Sequence, residues 1–147
     1  MKYIYMDVCT LCRPYDDQSY SRIHLETVAV HLILKKIEAG DYALVFSPAH
    51  QFEISAISND SERIDLLMLL ETLAVKGNFH KKKTRIRAEE LVRQGIGPAD
   101  AAHLAFAEAA KAEFISCDDK LIKKCAQVAT AVWTGSPVAF CYKEELK

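Results

Sequence analysis

Short apolar runs alternate with helix-patterned stretches along the whole chain, and that alternation restricts it to folds built on a mostly parallel sheet. Residues 3–8 read as a buried strand that meets Asp7 and gives way to Cys9, Thr10 and a turn containing Pro14. Over 21–39, Ile23, Val28, Val30, Leu32, Ile33, Leu34 and Ile37 recur at helical intervals, and Gly40 stands where a helix stop is expected. The apolar run 43–46 breaks at Ser47-Pro48, and Phe52, Glu53, Ile54 and Ile57 then suit a helix. Further helices are expected over 61–73 and 84–94, with a short edge strand over 74–79 between them. Pro98 opens an Ala-rich helix. Strands over 113–117 and 128–133 flank a short helix at 120–126, and 138–142 is expected to add a terminal strand. The expectation is a three-layer α/β/α domain with a central mostly parallel sheet, occupying residues 1–147 as one unit.

Composition narrows the class. Half of the residues are hydrophobic and 27% are charged, the balance of a soluble globular protein. No apolar run approaches the ~20 residues that a membrane crossing needs, and the amino terminus lacks the apolar core and cleavage region of a signal peptide. Five cysteines, at 9, 12, 117, 125 and 141, are an odd and scattered set that suits a reducing compartment, so the expected location is cytoplasmic, without a membrane. Cys9 and Cys12 have Cys-x-x-Cys spacing but no second pair, and they read as two unlinked cysteines. With 19 basic against 20 acidic residues the formal charge is -1, so there is no global signature of nucleic-acid binding, although RNA is not excluded as a partner.

Four acids stand where an apolar run ends or a helix begins: Asp7 after YIYM, Glu53 after ALVFSP, Asp100 in GPADAAHLAFAEAAKA and Asp118 after FISC. In an open α/β sheet the ligand crevice lies beyond the carboxyl ends of the strands, where loops bring distant residues together. Any one acid at a helix start could serve the helix dipole alone; the ordered set points to a shared site. Carboxylates without cysteine or histidine partners suit Mg²⁺ or Mn²⁺, and so phosphoryl chemistry rather than a zinc centre.

The ordered pattern MDVC, SPAHQFE, PADAAHLAFA and FISCDD resembles the PIN-domain family of nucleases over nearly the whole chain, with the VapC-like group as the closest functional comparison. The resemblance implies a metal-dependent endoribonuclease that hydrolyses RNA phosphodiester bonds, acting as a toxin restrained by an antitoxin protein. It places the catalytic acids on Asp7, Glu53, Asp100 and Asp118, holding one or two Mg²⁺ or Mn²⁺ ions, with Glu53 binding directly or through water. Asp119 is an alternative to Asp118 or its outer partner, and Ser116 could orient Asp118 or a metal water. Cys9 departs from the small polar residue that many relatives carry there.

Other features admit two readings each. His103, one helical turn beyond Asp100, is a hydrogen-bonded structural histidine or a contact to substrate. Lys81, Lys82 and Lys83, extended by Arg85 and Arg87, are an RNA phosphate contact or a solvated helix start. The apolar face around Ile23, Val30, Ile33 and Leu34 is core, part of it available to a homodimer or antitoxin interface. The alternatives to a nuclease are a catalytically weak PIN-like RNA-binding or assembly module and a different Mg²⁺-dependent phosphotransfer enzyme.

Overall fold

The computed structural model describes residues 1–147. Five strands, β1 (Lys2–Met6), β2 (Tyr42–Phe46), β3 (Ala74–Lys76), β4 (Glu113–Ile115) and β5 (Thr134–Gly135), form one sheet in the order β3-β2-β1-β4-β5. Every pairing is parallel. Helices cover both faces, which makes the expected three-layer α/β/α architecture.

Side-chain alternation along β1 divides the core. Ile4 and Met6 face one layer, where they pack with Ile33 of α2 (Ser21–Glu38), Ile54 of α3 (Pro48–Ser55), Leu70 of α4 (Asp60–Leu73) and Phe140 of α8 (Pro137–Lys143). The short α1 (Val8–Leu11) adds Val8 and Leu11 to that layer. Tyr5 faces the other side and joins Leu91 of α5 (Lys81–Arg93), Leu104 of α6 (Pro98–Ala109) and Leu121 of α7 (Asp119–Gln127). Side chains of this size each contribute ~1.5–3 kcal/mol when fully buried.

The helix boundaries follow local chemistry. Gly40, at φ 88°, ends α2: its N–H reaches Ile37 O at 3.0 Å and the Asp41 N–H reaches Lys36 O at 2.9 Å, a pairing that needs a left-handed residue. Ser47 caps α3, and His50 at the third helical position bonds back to the Ser47 N–H, closing a capping box with histidine in the place usual for glutamate. No helix is long and apolar enough to cross a membrane.

Two strand expectations near the carboxyl end are corrected. Residues 138–142 lie in α8, because Ser136 caps that helix through the Ala139 N–H at 3.0 Å and Pro137 takes its first turn. A strand would have placed Val138, Phe140 and Tyr142 on one face, whereas Phe140 is fully buried and Tyr142 is 88% exposed. Residues 128–133 are not a strand either. Pairing with β4 starts only where Trp133 O accepts the Phe114 N–H at 2.8 Å, and β5 is confined to Thr134–Gly135. The edge strand expected over 74–79 is present but stops at Lys76. At the chain end Glu144 accepts hydrogen bonds from Lys2 at 2.9 Å and Tyr42 at 3.0 Å, fastening the segment after α8 to β1 and β2.

Candidate functional site

Strand order reverses direction on either side of β1, so the crevice between the carboxyl ends of β1 and β4 is the topological switch point at which α/β sheets bind ligands. Asp7 follows β1 directly. It is 4% exposed and caps α1, its Oδ1 accepting from the Thr10 hydroxyl at 2.6 Å, the Thr10 N–H at 3.2 Å and the Cys9 thiol at 3.2 Å. Its Oδ2 has no hydrogen-bond partner within the chain. Thr10 also accepts the Cys117 N–H at 3.1 Å, locking the loop after β1 to the loop after β4.

Asp118 stands on that second loop as the cap of α7, Oδ1 receiving the N–H groups of Lys120 and Leu121 at 3.0 and 3.2 Å. Ser116, fully buried, accepts the Asp118 N–H at 3.1 Å and so fixes the turn that presents the acid. Asp119 points elsewhere: it pairs with Arg22 at 2.7 Å, a hydrogen bond that lowers its pKa. Of the two adjacent acids, Asp118 is the one that acts electrostatically on Asp100.

Asp100 occupies the first turn of α6 with no hydrogen bond to its carboxylate. Burial raises its pKa, and the negative charges of Asp7, Asp118 and Glu53 raise it further, against a smaller opposing effect of His103. Asp7 and Asp118 are thus the acids that act most on Asp100, with Glu53 the least of the three. Glu53 enters from α3, with Oε1 accepting the His103 Nε2–H at 2.9 Å. That bond lowers the Glu53 pKa against the opposing effect of burial.

The donor set suits a hard divalent cation: four carboxylates, one of them buried and one without internal partners. The spacing is wider than the chemistry suggests. No three histidine, cysteine, aspartate or glutamate side chains stand close enough together to hold a metal ion between them. Glu53 and Asp118 each already spend one oxygen on hydrogen bonds within the protein.

The basic run takes no part in the cavity of Asp118. Lys83 and Arg87 line a cavity with Ala105, Glu108 and Ala109, and Arg87 bonds Glu108 at 2.7 Å, which places that part of α5 against the second half of α6, while Lys81 lines a separate cavity with Ser47, Pro48 and Gln51 at the start of α3. Arg85 is paired to Glu89 and Arg87 to Glu108 and Glu90, leaving the three lysines exposed. A second set of cations, unmarked by any run in sequence, adjoins the acids instead: Arg13, Arg22 and Lys120 share a cavity of about 430 Å³ with Tyr20, Asp118 and Asp119. A cavity of about 680 Å³ is an open groove between α2 and α4 lined by Leu34, Leu66, Leu69 and Leu73.

Sequence reasoning also passed over Tyr5, Ser47 and His50, which are buried behind Glu53 in one hydrogen-bonded group with His103. The signals were a tyrosine on the inward-facing register of β1 and a histidine at the third position of a Ser-capped helix.

No curated protein matches the chain in sequence. Among solved structures, FitAcB from Neisseria gonorrhoeae is similar with a TM-score of 0.55 and 16% identity, covering 91% of this chain and 97% of that one. FitAB bound to an IR36 DNA fragment gives the same TM-score and identity over 92% of this chain and 95% of that one. At such identity these likenesses concern the fold. The PIN domain family matches residues 22–127, a span that includes Glu53, Asp100 and Asp118 and begins after Asp7. A match over that much of its length establishes that the chain belongs to the PIN-domain family.

Proposed function

We propose that the acidic groove is a ribonuclease site of VapC-like type, in which Asp7 and Asp100, with Asp118, hold Mg²⁺ or Mn²⁺ and the phosphate of the RNA completes the ligand shell. The observation that carries this reading is the placement of Asp7 and Asp118 on the loops after β1 and β4, which Thr10 locks together by bonding both Asp7 and the Cys117 N–H, with Asp100 raised in pKa by burial and by their charges; like charges so placed are relieved of repulsion by a divalent cation. When bound, the cation supplies Lewis-acid polarisation of the phosphodiester and a more acidic water. Asp7 contributes an oriented carboxylate, since three donors fix Oδ1 and leave Oδ2 free. Glu53, with Oε1 occupied by His103, offers Oε2 to orient a water. Lys120 provides a cation beside Asp118 for the RNA backbone, next to Arg13 and Arg22, which are paired with Asp16, Glu26 and Asp119, and Tyr20, 64% exposed, offers a face on which a base can stack.

The VapC-like motifs further suggest a protein antitoxin. The apolar groove between α2 and α4, with Met68 64% exposed on its rim, is the surface best suited to one.

A second reading has its own support. The absence of any three-group cage favours an RNA-binding or assembly module of weak catalytic power, and on the free protein alone it is the more direct reading. A mixed RNA pool incubated with Mg²⁺ or Mn²⁺ separates the two. The nuclease gives discrete mapped ends that vanish with chelator and fall at least 100-fold in Asp7→Asn. Retention of RNA without divalent-dependent cleavage selects the module.

A further inference from the structure

Behind the acidic groove lies a buried chain of hydrogen bonds whose two ends both reach the site. His50 Nε2 is 2.6 Å from Met6 O, the carbonyl immediately before Asp7. His50 Nδ1 receives the Ser47 N–H at 3.0 Å and lies 3.2 Å from Ser47 Oγ. Ser47 Oγ is 2.6 Å from the Tyr5 hydroxyl, which is 2.6 Å from His103 Nδ1. His103 Nε2 is 2.9 Å from Glu53 Oε1. Tyr5, His50 and His103 are at most 1% exposed, Ser47 is 2% exposed, and the His50 ring stacks on Tyr5 at 4.4 Å.

Donor and acceptor capacity fixes most of the protons. A carbonyl only accepts, so His50 carries its proton on Nε2; a backbone N–H only donates, so His50 Nδ1 is a lone pair. An ionised Glu53 only accepts, so His103 carries a proton on Nε2. With His103 neutral, Tyr5 donates to Nδ1 and Ser47 donates its one hydroxyl proton to Tyr5, so donation runs outward from Ser47 on both sides, its N–H to His50 and its O–H to Tyr5, and each group has a partner. Buried polar groups satisfied in this way are rigid, because any rotation leaves one of them unpaired in a dry interior.

We infer that His103 and Tyr5 are positioning residues for the acidic site, holding Glu53 through Oε1 so that only Oε2 is free to act. The inference rests on the metal-dependent reading above. The frame spans the site because its helices carry acids and supports together: α3 bears both Glu53 and His50, and α6 bears both Asp100 and His103. Glu53, Asp100 and the backbone ahead of Asp7 are thus tied to one buried tyrosine. Hydrogen-bonding partners of metal-site side chains commonly change activity or metal affinity by about 10–100-fold when removed.

The test is a double-mutant cycle between His103 and Glu53, read by single-turnover RNA cleavage, by Mn²⁺ titration of the protein and by ¹⁵N NMR of the histidines. His103→Leu is expected to lower the cleavage rate about 10–100-fold with KM for RNA unchanged. His103→Gln, which keeps a donor near Glu53, is expected to recover most of that loss, and Tyr5→Phe to show a smaller one. In a Glu53→Gln background His103→Leu is expected to add little. If it costs as much there as in the native protein, His103 does not act through Glu53 and the inference is overturned. If His103→Leu does not fold, His103→Gln and Tyr5→Phe carry the same comparison. Should the native protein neither bind Mn²⁺ nor cleave RNA, the nuclease reading falls, and the frame is judged by NMR alone. A His103 Nε2–H tautomer that is lost or shifted in Glu53→Gln supports it; an Nδ1–H tautomer, or no response to Glu53→Gln, overturns it.

Discussion

Asp100 shows how a single residue can be unfavourable to the fold and useful to the site. Its carboxylate is half-buried, has no hydrogen-bond donor, and lies in the negative field of Asp7 and Asp118. The folded-state pKa is raised above the usual 3.8, so ionisation opposes folding. That opposition is absent below pH ~3.8 and grows as pH rises through the raised value. Asp100→Asn is therefore expected to melt higher than the native protein at pH 7. Thermal melts across pH should show the gain shrinking towards pH 4; a variant that melts lower at pH 7 contradicts the description of the groove. The acids themselves were legible in sequence because each ends an apolar run or opens a helix. Their supports were not. Tyr5 looked like one more aromatic in a strand, and its contacts with Ser47 and His103 join residues 42 and 98 positions away, which no local pattern encodes.

Elements were readable where a cap and a period agreed. Ser47-Pro48 announced α3, and Gly40 announced the end of α2. Ser136-Pro137 carries the same start signal for α8, yet the apolar run behind it is short enough to suit a strand, and the tertiary setting decided for helix. That setting includes Glu144, whose pKa is lowered from 4.5 to about 2 by Lys143, with Lys2 and Tyr42 adding to the effect against some burial. A depressed carboxylate stabilises the fold fully above pH ~4.5 and loses that stabilisation as pH falls towards 2. Glu144→Gln should melt lower than the native protein at neutral pH, and the two curves should converge on acidification. Parallel curves over that range would remove Glu144 as the fastener of the segment after α8.

For the whole molecule, charge is organised in two places that one net value conceals. The exposed lysines at the start of α5 stand outside the cavity of Asp118, which Arg13, Arg22 and Lys120 line. Replacing Lys81, Lys82 and Lys83 by glutamine is expected to weaken RNA binding and reduce its salt slope by about 2, given ~0.7 per phosphate contact on a single strand, while the rate at saturating RNA stays the same. Unchanged binding would mean that these lysines only solvate a helix start. The central claim, that RNA and a divalent cation complete one site together, is tested most directly by measuring Mn²⁺ affinity with and without a cleavage-resistant RNA. The account predicts that RNA tightens Mn²⁺ binding at least about fivefold, that Mn²⁺ tightens RNA binding by the same factor, and that Asp100→Asn abolishes the coupling. Equal RNA affinity with and without Mn²⁺ would contradict it.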